Sequence, residues 1–320
     1  VLSLLAILFM FDAVCGEKEA GTLRLMLANA LPRHTVLLGK WIGGYLTLLV
    51  PFLLAVGGGL LYAHTQGVLH GAHATRIALL LAVACIYIAV FFNLSLFVST
   101  LTHRAATALL VCLLAWVACI LVLPNLAPVT AKIVAPTVSP EKIRAAKRAV
   151  DEEIDLKIRR LTLLSGELRY GKRIEDEREQ LESERRRLKK KYDRRFEASR
   201  RQQMDLAQTL GRVSPAACWT YAASALTNTG VAAYERLLQA RRRLDLAFTA
   251  WEQRMERERH QSAHRDPPPF RAEDVPSLNV QLPTQSDALE TALNDVLILL
   301  ILNVLFFMLA FAFFLRYDVR

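Results

Sequence analysis

Residues 77–127 read IALLLAVACIYIAVFFNLSLFVSTLTHRAATALLVCLLAWVACILVLPNLA, and this stretch decides the fold. Two apolar runs, Ile77 to Leu101 and Ala105 to Ala127, are separated only by Thr102, His103 and Arg104. Each is long enough to cross a hydrocarbon core, which takes about 20 helical residues. Lipid offers no partner to a peptide group, so such a run must close its hydrogen bonds on itself as an α-helix. The stretch is therefore predicted to be a pair of membrane helices joined by a tight polar turn.

Trp41 to Ala63 and Ala292 to Leu315 read as two further spans. Val1 to Phe11 is apolar but about half the necessary length, and is expected to be the end of a span whose start lies outside the sequence. It does not read as a signal peptide, because no basic residue precedes it and Asp12 follows without a small-residue cleavage site. Of the 320 residues 53% are hydrophobic, and they gather at the two ends of the chain while the middle carries most of the charge. The fold class is all-α: a polytopic helical membrane protein with an elongated, coiled-coil-like extracytoplasmic domain. Its expected organisation is a membrane domain over residues 1–127, with a polar loop at 12–40 and spans at 41–63, 77–101 and 105–127. A helical hairpin domain at 128–291, a last span at 292–315 and a tail at 316–320 follow.

Lys and Arg in short loops mark the cytoplasmic side. Lys18, Arg24, Arg33 and Lys40 lie in the first loop, His103 and Arg104 in the 101–104 turn, and Arg316 and Arg320 in the tail. These segments are expected on the cytoplasmic face of the cell (inner) membrane. Three crossings then put residues 128–291 outside.

In that region the apolar positions Ile154, Ile158, Leu161, Leu168, Ile174, Leu181 and Leu188 recur at helical spacing, and Gly166 and Gly171 interrupt them. Ser214 before Pro215 is a helix-start signal, and Gly230 is a stop. A third helix is predicted from Val231 to about His264, its face of Tyr234, Leu238, Leu244, Phe248, Trp251 and Met255 covering the first.

The basic run Arg185 to Arg195 is interleaved with acids at Glu177, Glu179, Glu182, Glu184 and Asp193, and reads as a solvated helix face rather than a nucleic-acid patch. Gly166, Gly171 and Lys172 approach a phosphate-binding loop, but Arg173 stands where Ser or Thr is needed and no strand precedes. His70 with His73, and His260 with His264, have metal-like spacing but no adjacent third ligand. Cys15, Cys85, Cys112, Cys119 and Cys218 form no disulfide framework. No catalytic constellation is present, so the chain does not read as an enzyme and no cofactor or metal is assigned to it.

Residues 11–27, Phe11 through Asp12, Gly16, Glu17, Lys18, Glu19, Ala20, Gly21, Thr22 and Leu23 to Leu27, leave the membrane charged and become amphipathic, with Leu23, Met26 and Leu27 on one helical face. Pro32, Arg33, Gly39 and Lys40 follow. In the spans, Gly39 and Gly43 form a small-xxx-small pair, Gly57 to Gly59 permit close helix approach or a break, and Asn93, Ser95, Ser99 and Asn303 are candidates for interhelical hydrogen bonds.

Gly16 to Arg24, with Pro32, Arg33, Gly39 and Lys40, resembles the loop between the second and third spans of ABC-2 type transporter permeases. The likeness is greatest to the branch grouped with multicopper-enzyme maturation and gliding-motility permeases. Ser214-Pro215-Ala216 and the ending Phe314 to Arg320 agree with it. The resemblance implies a six-span half-transporter paired with a second copy or a sister permease. It also implies a separate ABC ATPase subunit that binds ATP. In that picture Glu17 and Glu19 make polar contacts to the ATPase, Gly21 and Thr22 shape the coupling helix, and Leu23 and Met26 pack. The long insertion at 128–291 departs from the simplest members and suggests a protein partner outside the membrane. Export or extraction of a substrate is the leading expectation, and a mechanical scaffold that transports nothing is the alternative.

Overall fold

The structure is a computed structural model, and it describes residues 1–28, 32–67, 74–165, 171–261, 275–280 and 284–316. In chain order the helices are α1 (Leu2–Met10), α2 (Cys15–Glu19), α3 (Thr22–Ala28), α4 (Arg33–Thr65), α5 (Ala74–Leu101), α6 (Ala105–Val117), α7 (Leu123–Val134), α8 (Pro140–Ser165), α9 (Gly171–Gly211), α10 (Pro215–Leu226), α11 (Val231–Gln261) and α12 (Gln285–Arg316). No strand occurs among the described residues. Four helical stretches there are long and apolar enough to cross a membrane: Arg33–Thr65, Ala74–Leu101, Ala105–Val134 and Gln285–Arg316. Each contains one of the expected spans. This is an all-α, multi-pass membrane protein.

The third of these stretches runs past the expected end at Ala127 to Val134, with Pro128 inside it and a π-helical turn at Ala118–Val122. Pro124 has no N–H to give to the carbonyl one π-turn earlier, that of Cys119. The Ser214 hydroxyl donates to that oxygen instead.

The chain divides into two compact units, Val1–Ile120 with Ser214–Arg320, and Leu121–Val213. In the first, α5 is the hub. Its apolar residues go all the way round, the pattern of a helix packed on several sides. From Val90 to Thr100 nearly every side chain is buried. One face meets α1, α4, α6 and the end of α12 around Phe91, Phe92, Leu96, Ile7 and Phe314. The other meets α10 and α12 around Val83, Val90, Cys218, Ala222 and Leu299, with the Tyr87 ring stacked on Trp219 at 5.6 Å and edge-on to Phe91 at 5.3 Å.

The start signal at Ser214 is present as read: its side chain accepts from Ala216 N at 3.2 Å and Ala217 N at 3.4 Å. The helix it starts, however, packs on α5 and α12, not within a domain spanning 128–291. Small residues at Ala217, Cys218 and Ala222 let α10 approach its neighbours closely.

In the second unit α8 and α9 form an antiparallel hairpin. Lys147 pairs with Asp193 at 2.5 Å, Lys189 with Asp151 at 2.5 Å, and Arg185 with Asp155, so each turn forward on α8 meets a turn backward on α9. Gln203 of α9 donates to Ala135 O at 3.2 Å, and α9 also packs along α7. The partner of α8 is thus α9, which carries the cations that match its carboxylates. The Tyr234 to Met255 face of α11, expected to cover α8, lies in the other unit, where Phe248 and Trp251 rings meet at 5.4 Å.

The close approach of α4 also differs from expectation. A Cβ at Gly39, Gly43, Gly57, Gly58 or Gly59 would meet nothing within 4 Å, whereas one at Gly44 would lie 3.0 Å from Phe92 Cζ and 3.6 Å from Met10 Sδ. Gly44→Val is therefore expected to destabilise the protein by about 1–3 kcal/mol through overpacking. Gly43→Val, by contrast, is expected to leave the midpoint of thermal unfolding in detergent unchanged.

Candidate functional site

Residues 11–28 form a cap across the ends of several spans. After α1 the chain turns at Phe11–Val14, where Val14 and Cys15 are buried and Cys15 Sγ donates to Phe11 O at 3.0 Å. The short helix α2 has no side-chain cap of its own. Its first free amides are satisfied from elsewhere: Ser99 Oγ, fully buried near the end of α5, accepts from Val14 N at 3.0 Å and Cys15 N at 3.1 Å. One turn earlier, Ser95 donates to Ile7 O at 3.1 Å and lies 3.7 Å from Cys112 Sγ.

The charged residues of α2 reach three span ends. Lys18 Nζ donates to Thr100 O, and to Thr102 O at 3.2 Å. Burial there pushes the Lys18 ammonium below the ordinary lysine value. Glu19 Oε2 accepts from Ala105 N at 3.0 Å, the first amide of α6. Glu17 Oε1 pairs with Lys40 Nζ of α4, the two side chains only 25% and 19% exposed. Finally Arg33 Nη1, at the start of α4, donates to Leu315 O at the end of α12 at 2.6 Å. Helix α2, the start of α4, the 101–104 turn and the end of α12 thus meet at one face. Tyr317 to Arg320 lie outside the described residues.

Gly21 separates α2 from α3 with a φ of +73°, a conformation that glycine adopts without strain, and a Cβ there would meet nothing within 4 Å. Thr22 is exposed and its Oγ1 donates to Glu17 O at 3.4 Å. Leu23 is fully buried in the core formed with α1, α4 and α5, and Met26 packs against that core. Of the six residues named for coupling, Glu17 and Glu19 bond to α4 and α6, Leu23 and Met26 join the core, and Thr22 bonds back to Glu17. Gly21 and Thr22 are exposed, and so is Leu25, at 71%.

Sequence reasoning passed over Ser99 and Lys18 as anchors of this segment, and Leu25 as its outward apolar side chain. Lys18 carried a signal, a cation between two acids in a loop. Leu25 carried none, because it lies off the apolar face.

Deeper in the spans, Asn93, already singled out with Asn303, links three helices. Trp41 Nε1 donates to Asn93 Oδ1 at 2.5 Å, Asn93 Nδ2 donates to Asn303 Oδ1 at 2.8 Å, and Asn303 Nδ2 donates to Ile86 O at 3.0 Å. All four polar span residues named from the sequence make interhelical contacts. Among the described residues no group of three or more His, Cys, Asp or Glu could hold a metal ion. His70, His73 and His264 lie outside the described residues, as do Gly166 and Leu168.

A family model described as "ABC-2 family transporter protein" matches residues 1–319. A probable ABC transporter permease protein NosY from Pseudomonas aeruginosa is 32% identical over 115 residues, 34% of this chain and 42% of that protein. A protein of the same description from Stutzerimonas stutzeri is 42% identical over 57 residues, 18% of this chain and 21% of its own length. The matches thus cover less than half of either relative. No solved structure matches the chain.

Proposed function

The chain belongs to the ABC-2 family of transporter proteins, and from that premise we propose that it is the membrane subunit of an ABC transporter whose ATP is hydrolysed by a separate ATPase subunit. Its 320 residues contain no GxxxxGK[ST] loop. The observation that carries the reading is the cap at residues 11–28. It is fastened to the ends of α4, α5 and α6 while Gly21, Thr22 and Leu25 remain exposed. A push on that exposed face is delivered to several spans at once.

In this reading the cap, the 101–104 turn and the end of α12 face the cytoplasm of a bacterial-type inner membrane. A second copy or a sister permease completes the transporter. The α8–α9 hairpin is extracytoplasmic and hands over or gates cargo with a protein partner. The activity is export or extraction of a substrate, which agrees with the relatives' description as probable ABC transporter permeases.

The test is co-purification of the intact protein, in mild detergent, with the products of its neighbouring genes. Wild type is expected to retain the ATPase. Leu25→Glu, which disturbs no internal packing, is expected to lose it at least tenfold, about 1.4 kcal/mol of interface energy. No ATPase on the wild-type protein would sink the transporter reading.

A further inference from the structure

Adjacent residues of opposite charge on α2 meet opposite poles of two helices at the 101–104 turn. The carboxyl end of α5 presents carbonyl oxygens without helical partners, and the amino end of α6 presents amides without them. Lys18 donates to Thr100 O and Thr102 O, and Glu19 accepts from Ala105 N. Each charge is of the sign that its helix end favours. The residue standing at the cap position of α6 is Arg104, which makes no side-chain cap bond. The capping carboxylate comes instead from a residue far upstream in the chain. The relation is reciprocal, because Ser99 of α5 supplies the acceptor that the start of α2 lacks.

We infer that Lys18 and Glu19 form a clip across the α5–α6 turn, so that α2 and this turn move as one body when the ATPase displaces the cap. The inference rests on the transporter reading and deepens it by naming where the stroke is delivered. The polypeptide links on either side of α2 are a turn at Phe11–Val14 and the unobstructed Gly21. Without the clip, displacement of α3 bends these links. With it, displacement reaches α5, which packs on α1, α10 and α12 and so carries the movement to the rest of the membrane unit. Lys18 and Glu19 are positioning residues, and the ATPase need not touch them.

The experiment places nitroxide labels at Ala20→Cys and Ala106→Cys, both exposed positions, in the intact protein without its other reactive thiols. Electron paramagnetic resonance reads their spacing in the complex with the ATPase, with and without trapped nucleotide. One spacing, unchanged by nucleotide, is expected. Lys18→Met with Glu19→Gln should broaden it and make it nucleotide-dependent while the ATPase stays bound, and Lys18→Arg with Glu19→Asp should return it to a single value. A wild-type spacing that shifts on nucleotide trapping overturns the clip and leaves the transporter reading standing, whether or not the variants fold. Failure of the ATPase to bind wild type removes that reading, and the clip with it.

Discussion

Glu17→Lys is expected to uncouple the ATPase from the membrane subunit, and the double exchange Glu17→Lys with Lys40→Glu is expected to restore coupling. Glu17 on α2 and Lys40 on α4 form an ion pair with both side chains mostly covered. An exposed pair is worth about 0–1 kcal/mol and breaking a fully buried one costs roughly 3–5 kcal/mol. Placing two ammonium groups at this intermediate site should therefore cost about 2 kcal/mol and pull α2 away from α4. The readout is ATP turnover of the complex with and without the membrane subunit, beside the thermal unfolding midpoint. In Glu17→Lys, turnover should no longer respond to the membrane subunit. The exchange discriminates between two roles of Glu17: an internal pair works equally well with its charges swapped, whereas a carboxylate that binds the ATPase does not. If the double variant stays uncoupled, Glu17 acts on the partner.

Ser99→Ala should destabilise the protein far more than Ser95→Ala, although the two serines lie one turn apart and both are fully buried. Ser99 Oγ is the acceptor for two buried amides, those of Val14 and Cys15. Its removal leaves both unsatisfied, at about 1–3 kcal/mol for each buried group, so roughly 2–4 kcal/mol in all after partial relaxation. Ser95 is a donor to Ile7 O, an oxygen that also accepts from Phe11 N at 2.9 Å. Its loss leaves that carbonyl with a partner and should cost under about 1 kcal/mol. Thermal unfolding of the two variants in the same detergent gives the comparison. Ser99→Ala should also speed hydrogen exchange at Val14 and Cys15. Equal losses of stability would refute the anchoring role.

The membrane character and the helix class were legible because each depends on a property of contiguous residues. Ile77 to Leu101 is apolar throughout, and a peptide chain in lipid has one simple way to satisfy its backbone. The starts of α6 and α10 were equally local, set by the 102–104 turn and by Ser214 before Pro215. The four polar residues Asn93, Ser95, Ser99 and Asn303 were conspicuous because a polar group in a span must find a partner.

Partners were another matter. Glu17, Lys18 and Glu19 are successive residues of one motif, yet they bond to α4, to the end of α5 and to the start of α6. Nothing in their order distinguishes an inward contact from one offered to an ATPase. The same holds for Gly43 and Gly44: both sit in an apolar helix, and only the position of Phe92 decides which one is the close approach. On α8 and α9 the acids and bases were visible as a solvated face, but the register that matches Asp151 with Lys189 depends on where the chain turns back.

By itself, then, the sequence determined that this chain is a helical, multi-pass membrane protein with a charged segment at residues 12–40 of the ABC-2 type, since hydrophobic length and motif are read along one dimension. The tertiary structure alone decided that α10 returns to α5 and α12, that α8 pairs with α9, and that the motif's charges close onto the span ends. Such contacts join residues from 30 positions apart, as Arg185 and Asp155, to well over 100, as Tyr87 and Trp219, and their energy depends on distances in space that hydropathy and spacing do not encode.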